Sequence, residues 1–256
     1  MKTIALLAAL LFVLAAPARA LDITKLEAVP IQEGGRKKPF LVFAEESLLG
    51  MTGKARYKKN DEKIPALNVV TSLWLSPMGW ENEPLILIGN KKFKEAIGVD
   101  PAKKLFSYRE LAANAALRAS LENVSAIRAK NPKTQLDTLE REASNIGMRL
   151  ALFEGIASGN LVTLLPTGAA AWTPLVKNDP ALAKLREGFS KSDQALFDEG
   201  VTLLLSEQSR EEARFQADPG KISLELTYQK LHPARWAWIL YLIAGLALLA
   251  IPARAG

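Results

Sequence analysis

No cysteine occurs anywhere in these 256 residues, and there is one histidine, His232. The first absence removes whole classes of chemistry. The chain is not a thiol–disulfide oxidoreductase, carries no CxxCH haem attachment and builds no thiolate metal site. The second removes bis-histidine haem ligation and multi-histidine zinc from a single copy of the chain. Motifs that build nucleophile or phosphate sites are missing too: there is no GxSxG, SxxK, P-loop, HExxH or GxGxxG. Adjacent acids such as Glu45-Glu46 and Glu211-Glu212 project in different directions from a helix and make a poor acid–base pair. The expectation is a protein that is not itself catalytic. A formal charge of +6 suits anionic lipid, but no zinc-finger, helix-turn-helix or RNP-like signature accompanies it, so nucleic acid is not an expected partner.

Both ends of the chain are apolar. Met1–Ala20 has the parts of a secretory signal: Lys2, the apolar run Ile4–Ala16, and the small-x-small site Ala18-Arg19-Ala20. An exported chain is permitted disulfides, so one without them relies on its core. Near the other end, Trp236–Pro252 is apolar throughout, with Arg235 before it, Arg254 after it, and Trp236, Trp238 and Tyr241 crowded at one side. An apolar helix with an aromatic collar is expected at a membrane–water interface. The alternative for this stretch is a buried core helix. The reading that follows is a signal over 1–20, a periplasmic body over 21–233 and a transmembrane helix over 236–252.

The body reads as mainly α. Apolar spacing predicts a helix over Lys63–Leu75, ending at Pro77. Pro84–Ile88 and Leu161–Leu165 are short apolar runs closed by Gly or Pro, expected as buried strands; pairing between the two is one option, which periodicity does not establish. Ser107-Tyr-Arg-Glu110 reads as a capping box opening a helix that runs to about Ala129. Leu136, Leu139, Ala143, Ile146, Leu150, Phe153 and Ala157 then form a seam with 3-4 spacing, and Leu117, Leu121 and Val124 supply a partner face. A long antiparallel helical hairpin is expected there. Further helices are predicted over Lys191–Phe215 and Ile222–Leu231, separated by Asp218-Pro219-Gly220. No internal repeat is visible. The fold class is thus an exported helical domain with a long helical hairpin and a few short strands, plus one C-terminal transmembrane helix.

One segment stands apart: VPIQEGGRKKPFLVFAEESLLGMTGK, residues 29–54. Gly34-Gly35 permits positive φ and Pro39 biases Lys38 away from helix, so the chain turns and presents Arg36, Lys37 and Lys38 together. On those facts the choice lies between a solvated loop and an ordered basic turn that meets an anion or lipid headgroups. In wording, the segment resembles the start of the extracytoplasmic region in system II cytochrome c biogenesis proteins, the ResB/CcsA type. Gln32, Gly34, Gly35, Arg36, Lys38, Pro39, Ala44, Glu46, Ser47, Thr52, Gly53 and Lys54 carry the likeness, while Leu41-Val42 stands in place of an Asp-Thr pair. A second stretch, Tyr228-Gln-Lys-Leu-His-Pro-Ala-Arg-Trp-Ala-Trp-Ile-Leu-Tyr241, is similar to the passage leading into membrane helices in the same proteins.

The resemblance implies a single-pass inner-membrane assembly factor with its main domain in the periplasm. It would work beside a multi-span subunit bearing a WWD haem-handling segment, which this chain lacks, and beside apocytochrome c. Haem would be reached through that partner. Gly34, Gly35, Arg36, Lys37 and Lys38 are the expected partner-binding residues; Arg36, Lys38 and His232 are the candidates for contacting haem. A membrane-anchored adaptor of another envelope complex, docking through its helical hairpin, is the competing reading.

Overall fold

The computed structural model describes residues 21–168, 171–215, 220–231 and 233–250. The expected signal over Met1–Ala20, His232 and the residues beyond 250 lie outside those described.

The segment 29–54 folds as a hairpin running directly into a helix. Strand β1 (Pro30–Glu33) pairs antiparallel with β2 (Arg36–Pro39), Glu33 opposite Arg36 and Pro30 opposite Pro39. Gly34 and Gly35 turn the chain at φ 57° and 80°, the paired positive angles that a two-residue hairpin needs. Helix α1 (Phe40–Thr52) follows at once. Its N-cap, Pro39, has no side chain to offer the orphan N–H groups of a first turn. The chain preceding the hairpin takes that role: Phe40 N–H donates to the Val29 carbonyl (2.8 Å) and Leu41 N–H to that of Glu27 (3.2 Å). Thr52-Gly53-Lys54 is the stop signal. The Thr52 hydroxyl donates to the Leu48 carbonyl, and Gly53 closes the helix at φ 73°. Leu41 and Val42 both pack inward from the first turn, which suits their apolar character.

The same plan repeats immediately. Strands β3 (Arg56–Lys59) and β4 (Glu62–Pro65) form a second hairpin that enters α2 (Ala66–Leu75) through Pro65. Asn60-Asp61 takes the place of Gly34-Gly35, again with both φ positive, at 48° and 67°. The expected helix over Lys63–Leu75 therefore starts later, since its first residues are spent in a strand. The repeat is in the backbone plan and hides from sequence comparison because Asn-Asp and Gly-Gly share no side chain, only tolerance of left-handed φ.

Two further hairpins decide the strand pairing. Strand β5 (Pro84–Leu87) pairs with β6 (Leu105–Ser107), and β7 (Thr163–Pro166) pairs with β8 (Trp172–Pro174). The runs 84–88 and 161–165 thus each find a partner nearby in sequence, where closing the loop costs less entropy. The connection from β5 to β6 holds α3 (Lys91–Ala96), and α4 (Tyr108–Ala112) follows β6.

Ser107 caps α4 by accepting the Glu110 N–H (3.1 Å), but the Glu110 carboxylate turns to Lys103 (2.6 Å), so only half of the expected capping box forms. The predicted helix breaks at Asn114, which caps α5 (Ala115–Lys130). Helix α6 (Thr138–Ala157) opens with a complete capping box, Asp137 with Glu140. Helices α5 and α6 pack as the expected hairpin, closely enough that a Cβ on Gly147 would lie 2.8 Å from Leu121 Cδ2. The seam is not a true heptad. Ala143, Ile146, Phe153 and Ile156 are buried, Leu139 is exposed, and Leu136 precedes the helix. Because α6 also packs against α1 and α2, its buried stripe follows the helical period of a core rather than a coiled coil.

The predicted helix over Lys191–Phe215 is present as α8 (Gln194–Phe215), and a separate helix not expected from the sequence, α7 (Pro180–Lys191), precedes it, the two divided at Ser192 with φ 54°. Asp179 and Pro180 mark the start of α7, the carboxylate accepting N–H from Ala181 (2.8 Å) and Leu182 (3.2 Å). Helix α9 (Gly220–Leu231) leads to α10 (Pro233–Ala250), which exposes Trp236, Trp238, Leu240, Tyr241, Ile243 and Leu246. Among the described residues no helix is long and apolar enough to cross a membrane. The body is mainly helical with short antiparallel strands. Its core centres on α1 and α2, where Phe40 lies 5.8 Å from Phe43 and 5.7 Å from Trp74, ring to ring.

Candidate functional site

Strand alternation divides the three cations of the basic turn. Arg36 and Lys38 project from one face of β2 and Lys37 from the other. The Lys38 ammonium is buried, 4% exposed, and is shared by the carboxylates of Glu33, diagonal to it on β1, and Glu46 on α1. The ammonium also lies over the Phe43 ring, with Nζ 5.9 Å from the centroid. A cation with two carboxylates around it and no open face toward solvent holds strand to helix; it is not presented to a ligand. Lys37, on the opposite face, sits 5.2 Å over the ring of Trp172 in β8. Arg36 pairs with Glu225 of α9.

Beside the cations, Gln32 binds the first hairpin to the last. Its side-chain oxygen accepts the Trp172 N–H (2.9 Å), and its backbone carbonyl accepts the Thr163 hydroxyl. Gln208 of α8, 2% exposed, spans the same junction, its amide donating to the carbonyls of Pro30 (2.9 Å) and Leu164 (2.8 Å). Gln208 gave no signal in the sequence, being one polar residue on a helix whose tail is charged throughout.

The two stretches that carry the resemblance, residues 29–54 and 228–241, touch at Gln229 and Glu45, and two ion pairs beside that contact reach Glu225 and Glu27, just outside them. Arg36 pairs with Glu225, the Gln229 amide donates to Glu45, and Lys230 pairs with Glu27. Helix α9 is thereby held across β2 and α1 by polar bridges, while its Leu224, Tyr228 and Leu231 remain exposed. Glu225 and Glu27 were not legible as partners, since nothing local to residues 27 or 225 marks them as ends of one contact.

The remaining expected site residues are placed as follows. Gly34 and Gly35 form the hairpin turn, with open space around each. His232 lies outside the described residues. Arg36 and Lys38, the candidates for contacting haem, both pair with carboxylates of the chain itself, Lys38 buried and Arg36 with its side chain largely exposed. Among the described residues no group of three or more His, Cys, Asp or Glu could hold a metal ion. Glu45 and Glu46 serve different partners, and Glu211 is paired with Arg210 and Arg214.

A separate cluster on the second hairpin has shifted titration. The Tyr57 hydroxyl donates to Glu83 (2.7 Å), which also pairs with Lys59. The bond from Lys59, then that from Tyr57, holds the Glu83 carboxyl below the usual range, against the effect of burial. Burial first, and Glu83 second, push the Tyr57 hydroxyl up. A raised phenol stays protonated and acts as a donor. Since the folded-state pKa of Glu83 is depressed, its contribution is full at neutral pH. It fades as pH falls through the ordinary glutamate value of about 4.3 and on to the lowered one. Glu83→Gln should therefore cost about 1 kcal/mol at pH 7 and less at pH 3, measured by urea denaturation at both.

A scan against protein-family models gives no match, and a search of curated proteins gives none.

Proposed function

We propose that this chain is a membrane-anchored periplasmic component of c-type cytochrome biogenesis, working beside a separate multi-span subunit that handles haem and presenting or receiving apocytochrome c. The observation that carries the reading is that the two stretches that resemble system II proteins, residues 29–54 and 228–241, lie far apart in sequence and touch at Gln229–Glu45, with Arg36–Glu225 and Lys230–Glu27 each reaching from one stretch to a residue just outside the other. Two separate likenesses that converge on one contact are harder to attribute to chance than either alone. In this reading the signal at 1–20 exports the body, and the apolar helix α10, with its collar of Trp236, Trp238 and Tyr241, is the inner-membrane anchor. The basic turn then acts by fixing α9, and hence the pose of the body above the bilayer. Haem is contacted by the partner and not by Arg36 or Lys38.

The test is a haem-stained gel of membrane and periplasmic fractions from a strain lacking the gene. Covalent-haem bands should be lost and should return with the intact gene. Arg36→Glu should fail to restore them, while Arg36→Glu combined with Glu225→Arg should succeed. Undiminished haem bands in the deletion strain would overturn the proposal. Restoration by Arg36→Glu alone would remove the docking of α9 from the mechanism.

A further inference from the structure

The chain at the end of α6, strand β8 with the residues that follow it, and the side of α7 line a cleft of about 660 Å³. That size falls in the range of small-molecule sites. Trp74, 2% exposed, lines it, and its indole N–H has no hydrogen-bond partner among the described residues. The wall beside the indole is kept low by Gly159, at φ 83°, where a Cβ would stand 3.5 Å from Trp74 Nε1. Leu175 and Leu182 add apolar surface.

The charge of the lining is one-sided. Lys177 and Arg186 line the cleft and no acid does. Neither cation makes an ion pair or hydrogen bond among the described residues, on a molecule where Lys25, Lys38, Lys59, Lys103 and Lys184 are all paired. The Asn160 side chain is likewise without a partner among the described residues. The cleft therefore offers two cations, an amide and an indole N–H around an apolar floor, with no carboxylate to satisfy them. Groups arranged this way complement an oxyanion attached to an apolar body.

We propose that this cleft binds a small anionic amphiphile, a carboxylate or phosphate carried on a flat apolar group, with the head at Lys177 and Arg186 and the body against Trp74, Leu175 and Leu182. The inference stands independently of the cytochrome reading, since it uses neither the basic turn nor α9 and α10.

The probes are 2-naphthoate and 1-naphthyl phosphate, with neutral 2-naphthalenemethanol as control, titrated calorimetrically into the full chain held in lipid nanodiscs. At least one anion should bind saturably with Kd below about 1 mM, and the neutral alcohol at least about tenfold more weakly. The anion that binds identifies the head group. Lys177→Gln/Arg186→Gln should weaken the anion about tenfold or more and leave the alcohol unchanged. Lys177→Glu, at an exposed position that does not support the fold, should weaken it as well. Equal binding of anion and alcohol, no saturable binding of either anion, or unchanged affinity in both variants would overturn the proposal.

Discussion

Gly188→Ala should destabilise the protein by about 3 kcal/mol, at the upper end of the overpacking range. Helix propensity predicts the opposite sign, since alanine is favoured over glycine in a helix interior by roughly 1 kcal/mol. Gly188 lies inside α7, at the crossing with α8, and a Cβ there would stand 2.8 Å from the backbone Cα of Phe197. Backbone has no rotamer to move into, so the helices must separate. Gly200 mirrors the arrangement from α8, where a Cβ would be 2.8 Å from the Leu185 backbone N. The close approach is reciprocal and holds the most extensive helix–helix contact among the described residues. Denaturant unfolding should show a lowered midpoint with little change in slope. A variant as stable as the parent would show that α7 and α8 can part without loss, and that the rest of the core carries the stability.

Lys38→Met should cost about 2 kcal/mol and should also abolish cytochrome assembly if the proposed function is right. Breaking a fully buried pair costs roughly 3–5 kcal/mol, because a charge is left stranded. Here the stranded groups are Glu33 and Glu46, whose side chains are 35% and 48% exposed and reach water in part, so the loss is smaller. Methionine keeps most of the alkyl stem, so the loss reports the charge, including its contact over the Phe43 ring, more than the packing of the stem. The informative comparison is Lys38→Met with Glu33→Gln and Glu46→Gln together. Removing all three charges leaves no carboxylates to repel each other, and stability should recover to within about 1 kcal/mol of the parent. Haem-stained bands should recover with it, because the node serves the fold. If stability returned and assembly did not, the Lys38 charge itself would be needed by a partner, contrary to the role assigned to it.

These two residues also show where sequence reasoning reached and where it stopped. The boundaries of several elements were written locally. Gly34-Gly35 fixed a turn and Asn131-Pro132 the gap between α5 and α6, while the helix stop at Thr52-Gly53 and the capping box of Asp137 and Glu140, just as local, went unread. The α5–α6 hairpin was legible for the same reason, its apolar positions recurring at helical spacing. Helix α7 was missed although Asp179-Pro180 is a start signal of the ordinary kind and Leu182, Leu185 and Phe189 follow it at helical spacing. The pairing of β5 with β7, an option raised by two similar runs, is absent, since each run has a nearer partner in a hairpin. The repeat of hairpin, proline and helix was invisible because it conserves φ rather than residue type.

The sequence by itself determined the chemistry that is excluded, the helical character of the body, and the presence of a basic turn that resembles one family. Those properties depend on residue type, local spacing and the wording of short segments. Only the tertiary structure decided what the cations of that turn do, because an ammonium that meets solvent and one that meets Glu33 and Glu46 are spelled alike. It also decided that residues 220–231 lie on residues 27–46, and that Lys177 and Arg186 share a cleft with Trp74. Contacts between distant positions depend on how the core packs, and no local pattern in the chain records them.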